Sequence, residues 1–193
     1  FGMVLAVAPA DAESARAETP LTDYPLAASD QLSFAAFAGY VRTAHPGVDA
    51  IYLRTLYNHY RELCAVEDVS LTVALAQMIH ETGFLLFRGS VRAVQYNYAG
   101  LGATGGAVPG VRFPNMRTGV AAHVQHLKAY ATTDALATPL VDPRFHLVRR
   151  GSATTVRELT GRWATDPLYG AKLLAHITRL LMFDRRAAGD STP

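Results

Sequence analysis

The sequence predicts a mainly α-helical (α+β) domain in which one helix-poor insertion, a small β-lobe or a lobe of loops, follows a central apolar helix. Three observations carry this. Apolar residues recur at three-to-four spacing over most of the chain from Ser33 onward, the period of a helix with one buried face. A stretch from Leu85 to Pro114 breaks that period with glycines, prolines and short apolar pieces. Half of the 193 residues are hydrophobic, enough to fill one core of ordinary domain size.

Phe34, Phe37 and Val41 form the first stripe, which His45-Pro46-Gly47 ends because proline and glycine stop a helix. Asp49 can cap the second helix, whose buried face is Tyr52, Leu56, Tyr60 and Leu63. Ser70 opens the third, LTVALAQMIHETGF, with Leu71, Ala74, Leu75, Met78 and Ile79 on its apolar face and Gly83 as its stop. Helix resumes after Thr118 with Val120, Val124, Leu127 and Ala131 in register, and again from Thr155 to Trp163. Asp166-Pro167 reads as a capping carboxylate with proline at the first helical position, starting a last helix that buries Leu173, Leu174, Ile177, Leu180 and Leu181.

The ends read differently. Phe1 to Ala12 is an apolar run closing on Ala10-Asp11-Ala12, spaced like an export cleavage site but without a basic start; it is either the trimmed end of a leader or an unstructured terminus. From Glu13 to Asp30 Ala, Pro, Thr and charge without period suit a linker. The expected organisation is a leader remnant and linker over 1–30, a catalytic domain over 31–186 and a flexible tail over 187–193. No run approaches a membrane span.

Eighteen basic against sixteen acidic residues leave a net charge of +2, too little to argue for nucleic acid. The single cysteine, Cys64, cannot form an internal disulfide or a thiolate zinc site and suits a buried helix position. His80-Glu81 lacks the second histidine of a zinc-protease helix, because position 84 is Phe84. His123 and His126 share a helix face with no acidic ligand near, so they read as surface or cleft histidines; no metal or other cofactor is called for. The glycines from Gly100 to Gly106 have no Lys-Ser/Thr pair after them and read as turns.

What remains is a carboxylate in unusual company. After Glu81 no Asp or Glu occurs until Asp134, while Arg88, Arg92, Arg112, Arg117 and Lys128 fall in the gap, either a basic cleft for an anionic polymer or a solvated face. Glu81 ends an apolar helix and shares its face with Gln77 and Met78. Aromatic residues gather around the insertion, among them Phe84, Tyr96, Tyr98, Tyr130 and Tyr169, and flat rings with polar tips suit sugars.

Ala74-Leu75-Ala76-Gln77 through Glu81-Thr82-Gly83-Phe84, then Asn97-Tyr98-Ala99-Gly100-Leu101-Gly102, then Trp163-Ala164-Thr165-Asp166-Pro167-Leu168-Tyr169, in this order, resemble the motifs of bacterial peptidoglycan N-acetylglucosaminidases, the flagellar-muramidase and autolysin type of glycoside hydrolase family 73. The resemblance runs from Ser33 to Phe183. It implies a lysozyme-like helical fold with a small β-lobe, and cleavage of the β-1,4 bond after N-acetylglucosamine in cell-wall glycan by an exported enzyme. Carried over by position, Glu81 is the general acid and Tyr169 a tyrosine important for activity. Gln77, Phe84, Asn97, Tyr98 and Tyr130 are then substrate-binding. Two departures stand out. Phe84 replaces a tryptophan, and no carboxylate lies between Leu101 and Asn115, where some relatives place a second one. A single acid with help from the substrate's own 2-acetamido oxygen is the scheme this allows. A lytic transglycosylase and a non-catalytic wall-binding or assembly module are the alternatives.

Overall fold

The computed structural model describes residues 21–103 and 109–189. Its regular elements are five α-helices: α1 (Phe34–Ala44), α2 (Ala50–Glu67), α3 (Leu71–Thr82), α4 (Met116–Ala131) and α5 (Tyr169–Gly189), with three single turns of 3-10 helix between them. The leader expectation for 1–12 lies outside the described residues.

Four side-chain caps explain where α1 to α4 begin. Ser33, Asp49, Ser70 and Asn115 each accept a hydrogen bond from the backbone N–H three residues on, satisfying a donor that the helix itself leaves free. Asn115 starts α4 two residues ahead of Thr118. α3 is the centre of the molecule: every side chain from Leu71 to Ile79 is buried, with α5 on one side and α2 on another, while α1 packs on α5 and α2 on α4. Cys64 is buried in α2, as a small apolar residue would be.

The segment expected as linker is partly built into the fold. Residues 21–30 form a strap: Leu26 is fully buried, Pro25 bridges Thr155, and Leu26 N–H donates to the Thr154 carbonyl over 2.9 Å. Asp30 then covers the N-terminus of α3, accepting from Leu71 N–H at 2.7 Å and from the Ser70 hydroxyl at 2.9 Å. A carboxylate there meets both free donors and the positive end of the helix dipole. At the other end, α5 carries the chain helically to Gly189, past the expected start of the tail at 187.

Among the described residues the insertion holds no strand, so of the two forms expected for it the lobe of loops is the one present, built around one 3-10 turn, Ala93–Gln95. The helix expected over 155–163 is reduced to the 3-10 turn Arg157–Leu159, because Gly161 adopts a left-handed φ of 77° two residues later. Asp166 does not cap α5 directly. Its Oδ1 accepts from Leu168 N–H at 2.9 Å in a turn, α5 starts at Tyr169, and the Thr160 hydroxyl takes the Gly170 N–H at 3.0 Å.

Candidate active site

Glu81 sits in the last turn of α3, partly exposed. Gly83 ends the helix at a left-handed φ of 55°, and Phe84 and Leu85 continue left-handed at 60° and 63°. Such a run costs free energy in residues with a Cβ and persists where surrounding bonds impose it. Here Phe84 N–H donates back to the Ile79 carbonyl and Leu85 N–H to the Thr82 hydroxyl, both over 2.9 Å. The chain is thereby turned sharply away just beyond Glu81.

One oxygen of Glu81 is fixed by a chain of buried side chains. The Tyr169 hydroxyl donates to Glu81 Oε1 over 2.5 Å, and Gln77 Nε2 donates to the same hydroxyl over 2.7 Å. Gln77 Oε1 and His123 Nε2 are 2.8 Å apart, as are His123 Nδ1 and the Tyr60 hydroxyl. The direction of every bond follows. An amide nitrogen only donates, so the Tyr169 oxygen accepts from Gln77 and its own proton goes to Glu81. An amide oxygen only accepts, so His123 carries its proton on Nε2 and leaves Nδ1 to accept from Tyr60. Burial keeps this imidazole neutral by driving its pKa down to about 3. The relay Tyr60, His123, Gln77, Tyr169 therefore delivers donors toward Glu81 Oε1, and the proton of the acid form belongs on Oε2.

Oε2 faces Gly100: a Cβ on that residue, whose φ is 65°, would come within 3.3 Å of it. Burial raises the pKa of Glu81 above the ordinary carboxylate value, while hydrogen bonds from Tyr169 and from the Trp163 indole pull the other way and only moderate the rise. No guanidinium bonds this carboxyl among the described residues. The arrangement is a carboxyl with one oxygen held as acceptor by Tyr169 and the other beside a residue without a side chain, its affinity for a proton raised by burial. General acid catalysis asks for such a group.

Of the residues expected beside substrate, Gln77, Asn97 and Tyr98 are buried, at 0 %, 1 % and 0 % exposure, and each is engaged with other protein groups. Gln77 works within the relay. Asn97 staples the loop over Glu81: its Nδ2 donates to the Leu101 and Val111 carbonyls, and its Oδ1 accepts from Leu101 N–H at 2.9 Å. That closed ring of bonds sets Gly100 opposite the acid. The Tyr98 hydroxyl pairs with that of Tyr52, 3.1 Å away, and its ring packs edge-on to Tyr60. Phe84 is partly buried, wedged between Tyr40 and His176 with centroids 5.2 and 5.7 Å away, so it fills the place where α1 and α5 meet. Tyr130 is partly exposed, and its hydroxyl donates to the Arg162 carbonyl over 2.9 Å.

His123 and His126 are buried, contrary to the surface or cleft reading, and each is satisfied: His126 Nδ1 lies 2.7 Å from the buried Asp142. The aromatic residue that sequence reasoning left unassigned is Trp163. Its ring lies 5.9 Å from His123, 4.9 Å from His126 and 5.8 Å from Tyr130. Its position inside the third motif was the available signal. Of the five cations in the acid-free stretch, Arg117 is bound by Glu62 through two bonds of 2.7 and 2.6 Å, and Lys128 by the buried Glu67 at 2.9 Å. Arg88, Arg92 and Arg112 are exposed. A cavity of about 860 Å³ lies elsewhere, lined by residues such as Asp30, Tyr57, Cys64 and Asp184 and by none of the groups around Glu81.

An uncharacterized protein of Borreliella burgdorferi (strain ATCC 35210 / DSM 4680 / CIP 102532 / B31) is 42% identical over 145 residues, covering 75% of this chain and 71% of that protein. No solved structure gives a significant match. Residues 57–181 match the Glucosaminidase family, described as mannosyl-glycoprotein endo-beta-N-acetylglucosaminidase, and span both Glu81 and Tyr169. The chain belongs to this family of glycoside hydrolases.

Proposed function

We propose that this protein hydrolyses the β-1,4 bond after N-acetylglucosamine in peptidoglycan glycan strands, outside the cytoplasmic membrane where that polymer lies, with Glu81 as the general acid. The observation that carries the reading is the state of the Glu81 carboxyl. Burial raises its pKa, and Oε1 is held as an acceptor by Tyr169, which leaves Oε2 as the proton-bearing oxygen.

Glu81 Oε2–H protonates the glycosidic oxygen as the C1–O bond breaks and positive charge grows at C1. The stretch from Leu101 to Asn115 supplies no carboxylate to meet that charge. The carbonyl oxygen of the substrate's 2-acetamido group does so by attacking C1, closing an oxazolinium ring. Glu81, now ionised, is stabilised by the Tyr169 hydroxyl and the Trp163 indole. It then takes a proton from water as the water oxygen bonds to C1 and the ring opens, which restores both the acetamido group and the acid. The relay donor strengthens as charge develops on Oε1, so it favours the ionised stage over the resting one.

Mass spectrometry of digested sacculi tests this reading. Fragments ending in reducing N-acetylglucosamine support it. Anhydro-muramic ends would instead assign a transglycosylase, and intact strands a non-catalytic binding module.

A further inference from the structure

A second site begins one aromatic ring beyond Trp163. Tyr130, packed on Trp163 with centroids 5.8 Å apart, also walls a pocket of about 510 Å³ that it shares with Arg149, Arg150, Gly151, Ser152 and Arg162. Three arginines line this small volume, and none of them pairs with a carboxylate among the described residues. Arg144 adds a fourth positive charge near Tyr130. Glu158, whose charge Arg162 feels, turns its carboxyl to the backbone N–H groups of Thr154 and Thr155.

The arginines differ in how they are held. Arg150 is tied by Nε to the Thr132 carbonyl and by Nη2 to that of Asp134, with its guanidinium stacked over Phe145, so it is a fixed part of the wall. Arg162 Nη1 donates to the Glu158 carbonyl over 2.7 Å, which spends one of its five donors. The guanidinium of Arg149 is exposed and makes no bond among the described residues. Like charges gathered without a counterion repel one another, and a planar guanidinium fork matches a carboxylate in two parallel bonds.

We infer that this pocket binds a free carboxylate of the peptide stem carried by the glycan, with Arg149 and Arg162 as its ligands, so that the enzyme prefers strands still bearing their peptides. The inference rests on the proposed glycan substrate, because a stem branches from the sugar adjoining the scissile bond. Tyr130 and Trp163 then link the two sites, one ring toward the acid and one toward the anion.

Trp163 is the only tryptophan in the chain, and its fluorescence reports binding without any label. The measurement is a titration of the E81Q protein with three soluble glycan oligomers: stem-bearing, stem-free, and stem-bearing with its carboxylates converted to amides. Tighter binding of the first by about ten-fold or more is expected, since a charge-assisted hydrogen bond is worth roughly 1.5–3 kcal/mol. The R149A/R162A double variant and the exposed single variant R149E should remove that preference and bind the stem-free oligomer as before. Equal affinity of the E81Q protein for stem-bearing and stem-free oligomers, or a preference that survives amidation, overturns the inference. So does an equal loss on both oligomers in the R149E variant. Hydrolysis of both glycans by the unsubstituted protein is followed in parallel: its absence would sink the functional reading, while the binding preference still decides the pocket.

Discussion

Replacing Tyr169 with phenylalanine removes one hydroxyl and keeps the ring that packs in the core. Two bonds go with it, the 2.5 Å bond donated to Glu81 Oε1 and the 2.7 Å bond accepted from Gln77. A hydrogen bond to an ionised acceptor is worth roughly 1.5–3 kcal/mol, and losing it penalises only the carboxylate form of Glu81. At 1.36 kcal/mol per unit, its pKa should rise by about 1–2 units from an already raised value. The descending alkaline limb of kcat/KM, which reports the acid in the free enzyme, should move up by that amount. Turnover should fall, because a less acidic donor transfers its proton less readily and the ionised stage loses its partner. The buried Gln77 Nε2 is also orphaned, which should cost about 1–3 kcal/mol in urea unfolding. An unmoved alkaline limb in a variant that is still folded and active would refute the relay as the agent that sets the Oε1 side of the acid.

Three further outcomes follow from the same geometry. Since the folded pKa of Glu81 lies above its unfolded value, the charge opposes folding above that range and the penalty vanishes in acid, where both states are protonated. E81Q should therefore be more stable by roughly 1 kcal/mol near pH 8, with the gain fading below pH 4, as read from urea midpoints. His123, fully buried, and His176, partly buried, have pKa values lowered by burial to about 3 and about 4, so chiefly the unfolded chain takes up their protons as pH falls below 6.5. Stability should drop through that window toward pH 4 by up to about 1.4 kcal/mol per pH unit for each histidine, and a pH-independent midpoint between 6.5 and 4 would contradict their neutral state in the fold. Gly100→Ala should lose about 1–2 kcal/mol to left-handed strain and also lower turnover by crowding Oε2, whereas Gly47→Ala, which meets nothing within 4 Å, should leave turnover unchanged. Equal turnover of the two variants would remove Gly100 from the site.

The helices α1 to α4 were legible because a helix with one buried face writes its period into the sequence, and Ser33, Asp49, Ser70 and Gly83 mark ends by local bonding alone. The strap over 21–30 left no such period, since Leu26 and Asp30 are held by hydrogen bonds to residues some forty or more positions away. The apolar spacing around Val156 and Leu159 was real, yet one 3-10 turn suffices to bury both. At the site, motif position identified Glu81 and Tyr169 as candidates, and they meet at 2.5 Å across 88 residues of chain. Motif position does not encode which way a side chain points. It marked Asn97 and Tyr98 as contacts and gave no sign of the bonds by which they hold the loop and the core. A glutamine in an otherwise apolar helix was a signal that Gln77 needed buried partners. Its partner His123 could be found only by folding α4 against α3.

The account rests on a transferable proton at Glu81, and the most direct measurement is turnover of purified sacculi by Glu81→Gln beside the unsubstituted protein, with glycan binding followed through Trp163. The amide keeps the acceptor at Oε1 and removes only the acid. Retained binding with turnover reduced by about 10²–10⁴-fold or more is the predicted result. Hydrolysis at the unsubstituted rate would contradict it.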